Sequence, residues 1–393
     1  MSIELISLIV FVLILTGFIL YNRKKIEVQK MLFPLFYFIL YKTKIGLKLM
    51  DRLSKKEKLV RAFNFASVFV GFVGMAAICV LLVHNLYKLA FFPAAVSGVG
   101  LVLPVKLKGT FFVPFFYWII SILVIASVHE FCHGLIARYH NVRIKSSGFA
   151  FLAILFPIIP AAFVEPDEKQ LAKKKPKAQM QVFAAGPFSN IVLGLIILLI
   201  YWSAGPAISM GVMSPNGANI TYVYNDSVLV PLNVSAGTLI TGIDSSRLDT
   251  LSNFTEIVER KSPGDKVIMQ TDRGNYSVIL GANPKNSSKP YFGVNIMQNF
   301  GLNRNFAAKY GEFIPNALLW IFGQFGLLYW LVLLNLGIGI FNLVPVGPID
   351  GGRMLILALE KYFRKDRAKK IMGIISLTFL LIIILNILAG FLR

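Results

Sequence analysis

The feature that most constrains this sequence is a set of apolar runs, each long enough to cross the hydrocarbon core of a bilayer. A helix needs roughly 20 predominantly apolar residues for that crossing. Runs of about that length occupy residues 3–21, 64–90, 111–137, 183–204, 315–341 and 371–392. They predict a polytopic α-helical membrane protein with about six transmembrane helices. The first run has no basic stretch ahead of it and no small-residue cleavage site, so it reads as a retained helix rather than a signal peptide. Two further apolar segments do not fit a simple span. Residues 31–41 are too short and are followed by Lys42, Lys44 and Lys48, which suits an interfacial segment. Residues 148–164 contain Pro157 and Pro160 and read as a re-entrant hairpin, whose irregular backbone must be sheltered by protein.

The net charge of +21 would suggest a nucleic-acid partner in a soluble chain. Its distribution argues otherwise. Residues 22–62, 138–180 and 353–370 together carry 27 of the 40 Lys and Arg residues, whereas residues 205–310 are nearly balanced. Alternation of this kind follows from the excess of Lys and Arg in cytoplasmic loops. It predicts those three segments inside, residues 205–310 outside, and no nucleic-acid binding. The two cysteines, Cys79 and Cys132, lie in apolar runs and imply no disulfide framework.

Residues 205–310 differ from the rest. Short alternating segments such as 265–272 and 276–280 are separated by turn pairs such as Pro263-Gly264 and Arg273-Gly274, with one amphipathic stretch at 251–260. This predicts a small β-rich domain inserted between membrane helices. Six Asn-x-Ser/Thr sequons fall here, at Asn219, Asn225, Asn233, Asn253, Asn275 and Asn286, and nowhere else in the chain. At typical residue frequencies chance gives fewer than about one in such a segment. Either the segment is simply rich in Asn and Ser, or it is glycosylated and lies outside the cytoplasm.

The chemistry centres on His129-Glu130-Phe131-Cys132-His133. On a helix, residues four apart share a face, so both imidazoles can bind one metal ion, with Glu130 beside them as a base. Imidazole suits Zn²⁺. These groups lie within an apolar helix, where ionisable side chains are costly and usually functional. A catalytic zinc takes three protein ligands and keeps one position open. His84 and His140 are at the wrong depth. Asp350, in Asn342-Leu-Val-Pro-Val-Gly-Pro-Ile-Asp350-Gly-Gly, follows the fifth span at the matching depth. It serves either as the third ligand or as the cap of a helix over 351–362.

The HExxH run and the Asn342–Gly352 segment together resemble the two signature motifs of the site-2 protease family of intramembrane zinc metallopeptidases. Ala162-Phe-Val-Glu165 and Phe183-Ala-Ala-Gly-Pro-Phe-Ser-Asn190 resemble the stretch between them. Residues 207–298 resemble a PDZ-like domain, notably at Ala236-Gly237 to Ile243 and Ser262-Pro263-Gly264-Asp265. The likeness covers about 111–353. It departs at Val346-Gly347-Pro348-Ile349, which keeps the Asn-to-Asp spacing. The resemblance implies one Zn²⁺ per chain held by His129, His133 and Asp350, Glu130 as general base, and Asn190 and Asn342 beside the substrate. It implies regulated intramembrane proteolysis of single-pass membrane proteins.

Four regions are expected. They are an N-terminal helix with a basic interfacial segment (1–62), a first catalytic part (63–206), the PDZ-like domain (207–298), and a second catalytic part with the C-terminal helix (299–393). The expected setting is a cell membrane, with the lipid bilayer and single-pass substrates as partners and the PDZ-like domain outside, open to a peptide C-terminus. Two rival readings are weaker. A catalytically dead scaffold does not explain an intact HExxH, and a di-metal oxygenase needs more His than the four present.

Overall fold

The computed structural model describes residues 3–32, 36–154 and 156–392. Twelve helices occur among them: α1 (Ile3–Tyr21), α2 (Leu47–Ser54), α3 (Glu57–Phe91), α4 (Phe115–Tyr139), α5 (Glu168–Ala172), α6 (Pro176–Val212), α7 (Leu251–Glu259), α8 (Arg304–Tyr310), α9 (Phe313–Phe322), α10 (Leu327–Phe341), α11 (Asp350–Tyr362) and α12 (Lys365–Leu392). The chain divides into two compact units, Met1–Trp202 with Phe325–Arg393, and Ser203–Gln324.

Six helical stretches among the described residues are long and apolar enough to span a membrane, which makes this an integral multi-pass protein. They extend the expected runs at most ends, because a helix continues past the apolar core into polar surroundings. α3, for instance, starts at Glu57 rather than near 64. The expected fifth span is interrupted between α9 and α10 at Gly323–Gly326, a stretch that begins and ends on glycine, which lowers helix propensity.

Within the first unit the helices bury small or polar stripes and leave large apolar residues to the lipid. On α3 the inward stripe is Val60, Asn64, Ser67, Gly71 and Met75, while Phe65 and Phe69 point away. A Cβ at Gly71 would press on Met354 of α11 and touch Ala184 of α6. A small residue is therefore what lets these helices close up.

The interfacial segment and the re-entrant hairpin turn out to be one structure. β1 (Ile26–Leu32), β2 (Phe36–Thr43), β5 (Ile144–Ile154) and β6 (Phe156–Pro166) form an antiparallel sheet in the order β1-β2-β5-β6. Residues 33–35 and 155, which belong to the two expected segments, lie outside those described. The pairing of β2 with β5, Tyr41 opposite Phe149, joins segments over 100 residues apart. β6 packs along α4 and so places a strand beside the HExxH run. A short parallel pair, β3 (Leu101–Leu103) and β4 (Thr110–Phe112), follows α3.

The second unit carries β7 (Met213–Val223), β8 (Leu239–Ile243), β9 (Ser246–Arg247), β10 (Lys266–Thr271), β11 (Gly274–Ile279), β12 (Gly281–Asn283), β13 (Asn286–Tyr291) and β14 (Val294–Leu302). Its main sheet runs β11-β10-β8-β7-β14, with β9 on β8. Alternate residues such as Ala218 and Ile220, Val267 and Met269 build a core with Phe254 of α7. Thr250 caps α7 through a reciprocal bond with Asn253.

Candidate metal centre

His129 and His133 sit one turn apart on α4, as their spacing requires, and both imidazoles turn inward. Their Nε2 atoms approach to 3.0 Å. Asp350 Oδ2 lies 3.1 Å from His129 Nε2 and 3.3 Å from His133 Nε2. All three side chains are nearly buried, at 11–14% exposure. Asp350 is the first residue of α11 and makes no capping bond, so its carboxylate is aimed at the histidines rather than spent on the helix end. Gly351 and Gly352 make this possible. A Cβ at either would collide with the carbonyls of Leu343 or Val346, so only glycine lets α11 start against that loop.

These residues fit a zinc ion. Zn–N and Zn–O bonds of about 2.0–2.1 Å in a tetrahedron put neighbouring donor atoms roughly 3.3 Å apart, close to the edges of this triangle. The donor set, two imidazoles and one carboxylate, is that of known catalytic zinc sites. Gly186 of α6 closes one side. A Cβ there would lie 2.6 Å from His129 Nε2 and closer still to His133 Nε2.

Both imidazoles are steadied from behind. His133 Nδ1 lies 2.6 Å from the carbonyl of Val182 on α6, so it carries the proton and leaves the Nε2 lone pair free. The amide of fully buried Asn190 is 3.2 Å from His129 Nδ1, and Asn190 Oδ1 is otherwise without a partner. A metal at His129 Nε2 needs a proton on Nδ1. Turning the Asn190 amide end for end supplies that proton with its acceptor and removes the orphan oxygen. Glu130, one residue along, has a carboxylate oxygen within 4.8 Å of the histidine donor atoms. Its Oε2 accepts the N–H of Val164 on β6 at 3.1 Å. A largely apolar cavity of about 130 Å³ opens beside it, lined by Ser127, Phe131, Phe149 and Ala162 among others.

Asn342 ends α10. It is half-buried, its backbone carbonyl accepts the Gly351 N–H at 2.9 Å, and its side chain has no hydrogen-bond partner among the described residues. Three contributors escaped the sequence reading: Gly186, the Val182 carbonyl and the Val164 N–H. Backbone donors leave no trace in a sequence.

The family model described as Peptidase family M50 matches residues 117–385, which spans both halves of this site. The chain belongs to peptidase family M50. That match bears out the likeness to site-2 proteases read from the motifs. Among curated relatives of this M50 chain, protein MJ0971 of Methanocaldococcus jannaschii is 25% identical over 240 residues, covering 61% of this chain and 56% of its own. Zinc metalloprotease RasP of Shouchella clausii is 25% identical over 254 residues, covering 53% of this chain and 59% of its own. The matched stretch thus spans little more than half the length of these relatives. The PDZ domain of the SdrC-like protein Lmo2051 from Listeria monocytogenes is similar over 21% of this chain and 88% of its own, at 24% identity and a TM-score of 0.19.

Proposed function

We propose that this M50 protein is a zinc endopeptidase that cuts transmembrane segments of membrane-anchored proteins, as in regulated intramembrane proteolysis. The observation that carries the reading is the convergence of His129 Nε2, His133 Nε2 and Asp350 Oδ2 within 3.3 Å of one another inside an apolar helical unit. In the proposed mechanism these three atoms would hold one zinc ion, which would supply Lewis acidity toward the scissile carbonyl and the attacking water. Glu130 takes the proton from that water and passes it to the leaving nitrogen. The Val164 N–H holds the Glu130 carboxylate in place for both transfers. His129 and His133 keep their Nε2 lone pairs directed inward because Asn190 and Val182 hold the other ring nitrogens.

The expected roles of the two asparagines separate. Asn190 spends its amide on His129 and acts as a positioning residue. Asn342 keeps an unused amide at the end of α10, suited to the N–H and C=O groups of an unwound substrate strand, which are costly to leave unpaired in an apolar site. Substrate must unwind there, because a helix shields its own peptide bonds.

The basic segments would face the cytoplasm, and the second unit the outside of a cell membrane. That unit, read as the PDZ-like domain, would select substrates by strand addition. β14 is an edge strand of its sheet and runs past the start of α7, where Gln298 Oε1 accepts the Leu251 N–H. A peptide C-terminus would lie along that edge. The four-region division at 1–62, 63–206, 207–298 and 299–393 belongs to the same reading.

The test is direct. Purified protein in liposomes with a single-pass model substrate should yield cleavage within the transmembrane segment, and removal of zinc should abolish it. Cleavage that persists unchanged in a chelated His129→Ala/His133→Ala variant would overturn the assignment.

A further inference from the structure

Six sequons concentrate in the second unit, and the fold treats them unequally. Asn225 lies exposed in the turn after β7. Asn233 is exposed at φ +53° after the short turn Val230–Leu232. Asn253 is exposed in the first turn of α7, where its Oδ1 accepts from Thr250 and its Nδ2 makes no bond among the described residues. Asn275 is exposed as the second residue of β11, opposite Gln270 of β10 and with no strand on its other side. Asn286 is exposed at the tip of the β12–β13 hairpin. There its Oδ1 accepts the Ser288 N–H at 3.2 Å, so the sequon folds back on itself and leaves Nδ2 outward. Asn219 is the exception. It sits mid-strand on β7, paired with Met297 of β14 and Leu239 of β8, and its Oδ1 is buried without a partner.

The unit's two edge strands differ in the same way. β11 carries the Asn275 sequon. β14 and its end hold Asn295, Asn299 and Asn303, none followed two residues later by Ser or Thr. A bulky sugar on β11 would block edge-to-edge pairing there, a hazard that every open sheet edge presents.

We propose that the second unit is N-glycosylated at Asn225, Asn233, Asn253, Asn275 and Asn286 and not at Asn219, so that sugar covers the β11 edge. This rests on the proposal that the unit lies outside the cytoplasm. The donor is a lipid-phosphate-linked oligosaccharide, delivered by the cell's transferase. The bond from the anomeric carbon to the phosphate oxygen breaks and the lipid phosphate leaves with its electron pair. A bond from that carbon to Asn Nδ2 forms, and the displaced Nδ2 proton passes to the transferase base. The product is a bulky, solubilising surface group.

Peptide mapping by mass spectrometry of the full-length protein from its native cells tests this. Five sequon peptides should each carry the same glycan mass and the Asn219 peptide none. Asn275→Gln should lower the intact mass by one such increment. Bare peptides at all five sites, with Lys266→Cys labelled from outside by an impermeant reagent, would overturn the glycosylation alone. Bare peptides with Lys266→Cys labelled only after permeabilisation would overturn the topology as well. A glycan on Asn219 in folded protein would overturn the exclusion of that site, which is paired on both sides within the sheet.

Discussion

Gly186→Ala should disable metal binding without removing a ligand. The added Cβ would lie 2.6 Å from His129 Nε2 and nearer to His133 Nε2. Heavy atoms rest at about 3.5 Å or more, so the imidazoles would have to retreat by roughly 0.9 Å. Metal–ligand distances tolerate only about ±0.2 Å. Loss of a group that merely orients a ligand costs about 10–100-fold in metal affinity. Displacing two ligands should therefore cost at least about 100-fold, or roughly 2.8 kcal/mol. The helix itself should not suffer, since Ala is favoured over Gly in a helix interior by about 1 kcal/mol. Competition with a chromophoric zinc chelator measures the affinity, and melting of the chelated protein measures the fold. Gly194→Ala is the control. Its Cβ would press on Leu336 and Asn335 but on no proposed ligand, so zinc should stay bound. Wild-type zinc affinity and full cleavage in Gly186→Ala would refute the geometry.

Glu130→Gln should keep stoichiometric zinc and lose cleavage, because it removes the proposed base and no donor; loss of zinc instead would make Glu130 a ligand. Asn190→Leu should lower zinc affinity about 10–100-fold, as loss of a ligand-orienting group does. Asn342→Leu should lower turnover with zinc and melting temperature unchanged, and equal effects of the two on zinc would remove the distinction. A cysteine replacing Lys177 should resist impermeant reagents on intact cells while one replacing Lys266 reacts, and the reverse would invert the topology. In the second unit, the Lys261 ammonium and the Ile268 N–H hold Asp244 below its ordinary carboxylate range. That stabilisation is present above the usual Asp range near 4 and fades as pH falls through the lowered value. Protease resistance of the unit should fall on acidification, and Asp244→Asn should flatten that pH dependence.

The six spans were legible because the bilayer demands long apolar helices, and length and composition express that demand directly. The sheet was not. β5 and β6 contain apolar runs with Pro157 and Pro160, a pattern that fits a broken helix as well as a strand. What decides is pairing with β2, more than 100 residues earlier, which no local pattern records. At the site, His129, Glu130 and His133 were legible from helical periodicity, and Asp350 from matching depth. Whether Asp350 capped a helix or faced the histidines was open in sequence, because both uses suit an Asp at a helix start. The glycines at 351 and 352 decide it, by letting α11 begin against the loop after α10. Asn190 is the instructive case. Only the family resemblance singled it out, and that placed it beside the substrate; the position of its amide 3.2 Å from His129 Nδ1 points instead to holding the imidazole.

The polar groups of the site balance in a way that bears on how it forms. Behind the donors, His133 Nδ1 has the Val182 carbonyl, His129 Nδ1 has Asn190, and Glu130 has the Val164 N–H. In front, two imidazole nitrogens and a carboxylate oxygen point at one another at 3.0–3.3 Å. Neutral imidazole lone pairs and a carboxylate repel at that range, and the proposed zinc at their centre would relieve that repulsion. The groups behind lie on α6 and β6, and those in front on α4 and α11. Binding energy at such a site is folding energy for whatever it draws together. Zinc would therefore tie Asp350, more than 200 residues from His133, to the α4 helix, and the start of α11 would be held by the same bonds that serve the chemistry.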